Sequence, residues 1–126
     1  MNTKLYKILV VDDDPVICDM MVDILSLEGY PVEVVRNGYE ALEKLRGEGN
    51  YLVFLDMMMP IITGRDVCAR LNEEPLVRNR HIIIIMSAMD NLGQAKSLSA
   101  NGVMPKPFSV EDVLRLVQPY IGSPSL

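Results

Sequence analysis

The sequence predicts one doubly wound α/β domain, a five-stranded parallel sheet covered by helices on both faces. Three observations carry that expectation. At 126 residues, 49% of them apolar, the chain has the size of one domain and can bury about two-thirds of the surface its unfolded form exposes. Five short apolar runs bounded by turn residues alternate with helical patterns along it. The first, third and fourth runs are continuously apolar, as in strands buried on both faces of a parallel sheet.

The strand runs are Lys7-Ile-Leu-Val-Val11, Pro31-Val-Glu-Val-Val35, Tyr51-Leu-Val-Phe-Leu55, His81-Ile-Ile-Ile-Ile-Met86 and the shorter Gly102-Val-Met104. The first helix opens on Asp14-Pro15, a capping carboxylate followed by proline at the first helical position, and stops at Gly29. Val16, Ile17, Met20, Met21, Ile24 and Leu25 form its apolar face. The second starts at Asn37 with Glu40 at capping-box spacing, buries Ala41, Leu42 and Leu45, and ends at Gly47. The third, Gly64 to about Asn72, presents Val67, Cys68 and Leu71. The fourth opens at Asp90 and is thin in apolar content, with Leu92, Ala95 and Leu98 alone at helical spacing, so it is expected to be loosely held. The fifth starts at Ser109 with Asp112 three residues on, and buries Val110, Val113, Leu114, Val117 and Tyr120.

Charge and composition exclude several classes. Twelve Lys and Arg against 17 Asp and Glu give a net charge of −5, with no basic run to displace counterions from phosphates, so direct nucleic-acid binding is not expected. No apolar stretch approaches the roughly 20 residues that span a bilayer, and the N-terminus carries no signal-peptide pattern. A cytoplasmic protein without membrane contact is expected. Cys18 and Cys68, each inside a helical pattern, read as buried thiols of a reducing compartment.

In an open parallel sheet, ligands bind beyond the C-terminal ends of the strands, where the winding reverses. There Val11 runs into Asp12-Asp13-Asp14, Leu55 into Asp56, Met86 into Ser87, and the fifth strand into Lys106-Pro107. With Asp14 as helix cap, Asp12, Asp13 and Asp56 share one crevice. Two like charges 4 Å apart at an effective dielectric near 20 repel by roughly 4 kcal/mol, so the cluster either shifts a pKa upward or recruits a cation. All-oxygen donors select Mg2+ or Mn2+ over zinc. A divalent ion, the mobile charge of Lys106 and the Ser87 hydroxyl would together suit a phosphoryl group.

These residues resemble the receiver domains of two-component response regulators, chemotaxis regulators among them. The resemblance rests on Ile8-Leu-Val-Val-Asp-Asp13, Leu55-Asp56-Met-Met-Met-Pro60 with Gly64, Ser87-Ala88 and Lys106-Pro107-Phe108, and covers residues 5 to 120. It implies a flavodoxin-like sheet of order 2-1-3-4-5. It implies that Asp56 accepts a phosphoryl group from a sensor histidine kinase or histidine phosphotransfer protein, and that the domain is a self-phosphorylating and self-dephosphorylating switch rather than a turnover enzyme. Asp12 or Asp13, with Asp56 and the Met58 backbone carbonyl, would hold Mg2+. Lys106 would pair with the phosphoryl oxygens, Ser87 would be the switch hydroxyl, and Pro107 would follow a cis peptide, which X-Pro bonds tolerate.

The sequence departs from the family pattern in places. Val103 stands where an aromatic switch residue is usual, which implies altered or quieter coupling to the output protein. Met58 and Met89, two residues beyond Asp56 and Ser87, are expected to shield the phosphorylated carboxylate and lengthen its life. Ile61 and Ile62 place two large apolar groups in a loop; one reading makes them a docking knob, the other tucks one under the third helix. His81 is expected to be a surface or capping residue, Met20, Met21 and Met86 to face inward, and Asn72 to Arg80 to be a solvated connection.

Asp12-x-Asp14 also fits the nucleophile motif of haloacid-dehalogenase-like phosphatases, with Asp12 attacking phosphate, but the final acidic metal motif is missing. Flavin binding is disfavoured because the Asp12-Asp13-Asp14-Pro15 loop would repel a flavin phosphate. A receiver that only relays phosphate or serves as a scaffold with weak switching is the remaining alternative. The whole of 1–126 is read as one receiver domain, with a short tail, 121–126, too small for an effector.

Overall fold

Branched and aromatic side chains dominate the first four apolar runs, and all five are strands in the computed structural model, which describes residues 5–121. The strands are β1 (Tyr6–Val11), β2 (Val32–Val35), β3 (Asn50–Asp56), β4 (Ile82–Ala88) and β5 (Gly102–Lys106). All pair in parallel in the order β2-β1-β3-β4-β5. The helices are α1 (Pro15–Leu27), α2 (Gly38–Arg46), α3 (Gly64–Asn72), α4 (Pro75–Arg78), α5 (Leu92–Lys96) and α6 (Val110–Ile121).

Because successive strand residues point to opposite faces, the continuous apolar runs divide into two cores. Leu9, Val11, Val53, Leu55, Ile83 and Ile85 meet Ala41, Leu42 and Leu45 of α2 and Val67, Cys68 and Leu71 of α3. Ile8, Val10, Leu52, Phe54, Ile84, Met86 and Met104 meet Cys18, Met21 and Leu25 of α1 and Val113 and Val117 of α6. Burying a side chain of this kind contributes roughly 1.5–3 kcal/mol, so this paired burial explains why β1, β3 and β4 carry no polar residue in their centres. Both cysteines are free and buried, as expected.

The helix starts follow their caps. Asp14 accepts from the Val16 N–H at 2.9 Å with Pro15 at the first position. Asn37 accepts from the Glu40 N–H at 2.8 Å. Ser109 and Asp112 bond reciprocally at 2.8 and 3.1 Å. At the end of α1, Gly29 takes φ 85° and the Tyr30 N–H returns to the Leu25 carbonyl at 2.9 Å; the left-handed turn favours glycine there.

Several expectations are corrected. The fourth helical pattern yields a 3-10 turn, Met89–Asn91, and then only the five residues of α5, with Ala95 its one buried side chain. Too little apolar surface lies on that segment to hold a longer helix. Asn72 to Arg80 is more than a solvated connection, because Pro75 starts the one-turn α4. Val16, Met20 and Val110 lie on the predicted apolar faces but are 62%, 41% and 49% exposed; Val16 and Val110 sit in the first turn of their helices, and Met20 lies beside the buried stripe of Cys18, Met21 and Leu25. β5 continues to Lys106, and Pro105 is accommodated because an edge strand has no neighbour to donate to.

His81 is buried, not a surface residue. Its Nδ1 accepts from the Tyr51 N–H at 3.0 Å and its Nε2 donates to the Leu45 carbonyl at 2.8 Å, which fixes the neutral Nε2–H tautomer. Beside it Arg80 donates to the carbonyls of Leu45, Gly47 and Gly49. Arg78 donates to the carbonyls of His81 and Ser99 and to Asn101 Oδ1. These three residues tie together the loops at the N-terminal edge of the sheet, opposite the carboxylates. No helix among the described residues is long and apolar enough to cross a membrane.

Candidate functional site

Strand order and register place the site. From β1 the chain crosses to β2 on one side and then returns to β3 on the other, so the winding reverses between β1 and β3, the place where such sheets bind ligands. Val11 pairs with Leu55, so Asp12 and Asp56 leave adjacent strands at the same level. Asp56 pairs with Met86 and Ser87 with Pro105. Relative to Asp56, Ser87 is therefore one step further along its strand and Lys106 two.

The two cores below the site seal its floor. Asp12 is fully buried, Asp56 is 5% exposed and Ser87 2%. Lys106 Nζ donates to Asp12 Oδ2 at 3.0 Å and to Asp56 Oδ1 at 3.1 Å. Asp12 Oδ1 accepts from the Asp14 N–H at 2.9 Å. One ammonium thus serves two buried carboxylates. Burial, followed by the charge of Asp12, pushes the Asp56 carboxyl up to about 6, against the lowering effect of Lys106 and the Met58 N–H. Burial alone would lower the Lys106 pKa, but the hydrogen bond to Asp12 and the Asp56 charge raise it.

Carboxylate oxygens of Asp12, Asp13 and Asp56 lie within 4.8 Å of one another, with Asp13 exposed at the mouth. Three hard oxygen donors with one lysine between them leave net negative charge, and this donor set fits a Mg2+-like cation.

The Ser87 hydroxyl lies 3.6 Å from Met57 Sδ and 3.2 Å from the Ala88 carbonyl, both as acceptors. Met57, 3% exposed, had no predicted part, and no local pattern in the sequence marks it as the partner of Ser87. Met58 and Met89 stand 64% and 63% exposed at the ends of neighbouring strands. The Lys106–Pro107 peptide is cis. Val103 is partly buried against the core on the α2 and α3 side.

The loop after Asp56 resolves the two isoleucines. Ile62 is buried, and Ile61 is 87% exposed at φ 69°. A bond from the Ile62 N–H to the Pro60 carbonyl at 2.8 Å closes a three-residue turn around Ile61. Two glycines hold this loop close. A Cβ on Gly64 would lie 2.4 Å from the Asp56 carbonyl oxygen, and one on Gly38 would lie 2.5 Å from Ile62 Cγ2. The α3 start, where Thr63 and Asp66 cap each other, is thereby pressed against the backbone of Asp56.

The phosphatase alternative gains no support. It needs Asp14 as a free acid or base, and Asp14 is the α1 cap.

The profile of the response regulator receiver domain matches residues 8–118. The response regulator MprA of Mycobacterium ulcerans is 33% identical over 111 residues, 86% of this chain and 47% of that protein. The chain thus spans about half the length of the curated relatives it matches. Among solved structures, the chemotaxis protein CheY4 of Vibrio cholerae superposes with a TM-score of 0.76 at 27% identity, over 92% of this chain and 98% of that one. The receiver domain of sensor histidine kinase PA1611 from Pseudomonas aeruginosa PAO1, which has a magnesium ion coordinated in its active site cleft, gives 0.80 at 25% identity, over 94% and 99%. The flavodoxin-like strand order, the acidic cleft at its switch point and these matches agree: the chain belongs to the response regulator receiver domain family of two-component signalling.

Proposed function

We propose that Asp56 accepts a phosphoryl group from a phosphohistidine on a sensor histidine kinase or histidine phosphotransfer protein, and that the resulting aspartyl phosphate alters how the domain meets an output protein. The observation that carries the reading is the Lys106 ammonium held between Asp12 and Asp56. An Asp56 oxygen forms the new P–O bond while the P–N bond to the donor imidazole breaks. Lys106 then stands beside the transferred oxygens and offsets charge that the carboxylates would otherwise repel. The Ser87 hydroxyl, held only by a thioether and a neighbouring carbonyl, is free to turn toward them.

The residues that would hold Mg2+ or Mn2+ are Asp12, Asp13 and Asp56 with the Met58 carbonyl; the magnesium in the PA1611 cleft supports this assignment. When bound, the ion supplies further neutralisation of the phosphoryl charge. With Val103 in place of an aromatic ring, rearrangement on the β5 side is quieter, and phosphate relay with weak switching is the second reading.

We read 1–126 as one receiver domain acting in the cytoplasm, a switch that gains and loses its own phosphoryl group and not a turnover enzyme. Incubation with acetyl phosphate tests the reading by intact mass. One phosphoryl group is expected with Mg2+, none with chelator, and none on Asp56→Asn. Equal labelling of Asp56→Asn would refute it.

A further inference from the structure

The methionines of this chain are sorted by exposure in a way that the proposed phosphoryl transfer does not require. Met21, Met57, Met59, Met86 and Met104 are buried, whereas Met58, Met89 and Met20 are 64%, 63% and 41% exposed. Among the described residues, the two most exposed methionines leave the ends of adjacent strands, β3 and β4, two residues beyond Asp56 and Ser87. The two strand ends are held together there, since the Met57 N–H donates to the Met86 carbonyl at 3.0 Å. Thus, among the described residues, the two most exposed methionines follow the strands that carry Asp56 and Ser87, and those that pack the cores are sealed.

We infer that Met58 and Met89 are an oxidant-sensitive pair, modified by peroxides to methionine sulfoxide, and that this modification shortens the life of the phosphorylated domain. The inference rests on Asp56 as phosphoacceptor. In the step, a thioether sulfur gives an electron pair to one peroxide oxygen. An S–O bond forms, the O–O bond breaks, and with hydrogen peroxide the other oxygen leaves as water. The sulfur is oxidised by two electrons and the peroxide reduced.

The consequence follows from polarity. A thioether accepts hydrogen bonds poorly, so two such groups at the ends of β3 and β4, two residues beyond Asp56 and Ser87, offer nearby water no anchor. A sulfoxide oxygen is a strong acceptor on the same flexible stem. It draws water to the carboxyl phosphate that the unmodified side chains keep apolar. The buried Met57, partner of Ser87, is protected, so the switch hydroxyl keeps its contacts. Because reductases restore methionine from the sulfoxide, the change is reversible.

The test treats the domain with limiting hydrogen peroxide, quenches with catalase, maps the sulfoxides by peptide mass, and then loads the protein with acetyl phosphate and Mg2+. Loss of the phosphoryl group is followed after removal of the donor. The expected result is sulfoxide first on Met58 and Met89, with a half-life shortened about fivefold, the scale of one organising hydrogen bond. Methionine sulfoxide reductase restores it. Met20→Leu keeps the response, and Met58→Leu/Met89→Leu loses it when compared with its own untreated form; the single variants serve if the double variant folds poorly. Unchanged decay after oxidation of both residues, or a response that survives their replacement, would overturn the inference alone. Absence of label on untreated protein would overturn the phosphoacceptor reading and this inference with it.

Discussion

Lys106 Nζ lies 3.1 Å from Asp56 Oδ1 and makes a second, 3.0 Å bond to Asp12. The second bond matters because it holds the ammonium beside Asp56 through a carboxylate other than the phosphoacceptor's own. Replacing Lys106 with Met keeps the length of the side chain and removes the charge. Labelling by acetyl phosphate is expected to slow by about 100-fold, the scale of losing one preorganised charge contact. A time course by intact mass reads the rate, and an undiminished rate would remove Lys106 from the chemistry.

Asp56 makes a signed prediction about pH. Its carboxyl is raised from the ordinary 3.8 to about 6 by burial and by Asp12. Between those values the folded state binds more protons than the unfolded one, so the Asp56 contribution to stability falls as pH rises through that window. Without divalent ions, Asp56→Asn is expected to exceed the wild type in stability at pH 7.5 by up to ~3 kcal/mol, with the difference shrinking toward pH 4. Urea titrations of both proteins across that range read it. By the same linkage, Mg2+ affinity is expected to weaken below about pH 6, where protons compete for Asp56.

Ile61 is a β-branched residue at φ 69° whose side chain is 87% exposed, so the backbone strain is not offset by burial. Such conformations cost about 1–3 kcal/mol. Ile61→Gly removes the strain at some loss of chain entropy, for a net gain of ~1 kcal/mol and a higher melting temperature, with acetyl phosphate labelling unchanged. A lower melting temperature would show that the isoleucine contributes to the fold.

His81→Phe separates fold from function. It leaves the buried Tyr51 N–H without its acceptor, a loss of about 2 kcal/mol. The carboxylates are at the opposite edge of the sheet, so labelling of the folded protein should proceed at the wild-type rate. Chemical denaturation and the acetyl phosphate time course together decide it.

The sequence made the sheet legible because β1, β3 and β4 are buried on both faces, which leaves a continuous apolar run with little room for another reading. The acidic pair, Asp56, Ser87 and Lys106 were legible for a related reason: each stands where such a run ends in a polar residue. His81 was misread since a histidine at the start of a strand looks the same whether or not a distant carbonyl, here that of Leu45, awaits its ring. Met20 was misread because helical periodicity does not say how wide the buried stripe is, here centred on Cys18, Met21 and Leu25. The Gly38 contact with Ile62 and the Ser87 contact with Met57 join segments far apart in the chain, and no local pattern encodes them.

The most direct test locates the phosphoryl group itself. After acetyl phosphate and Mg2+, borohydride reduces an aspartyl phosphate to homoserine, and peptide mass mapping finds the residue changed. The account predicts homoserine at position 56 and unaltered Asp12 and Asp13. Conversion at Asp12, or at no aspartate, would contradict it.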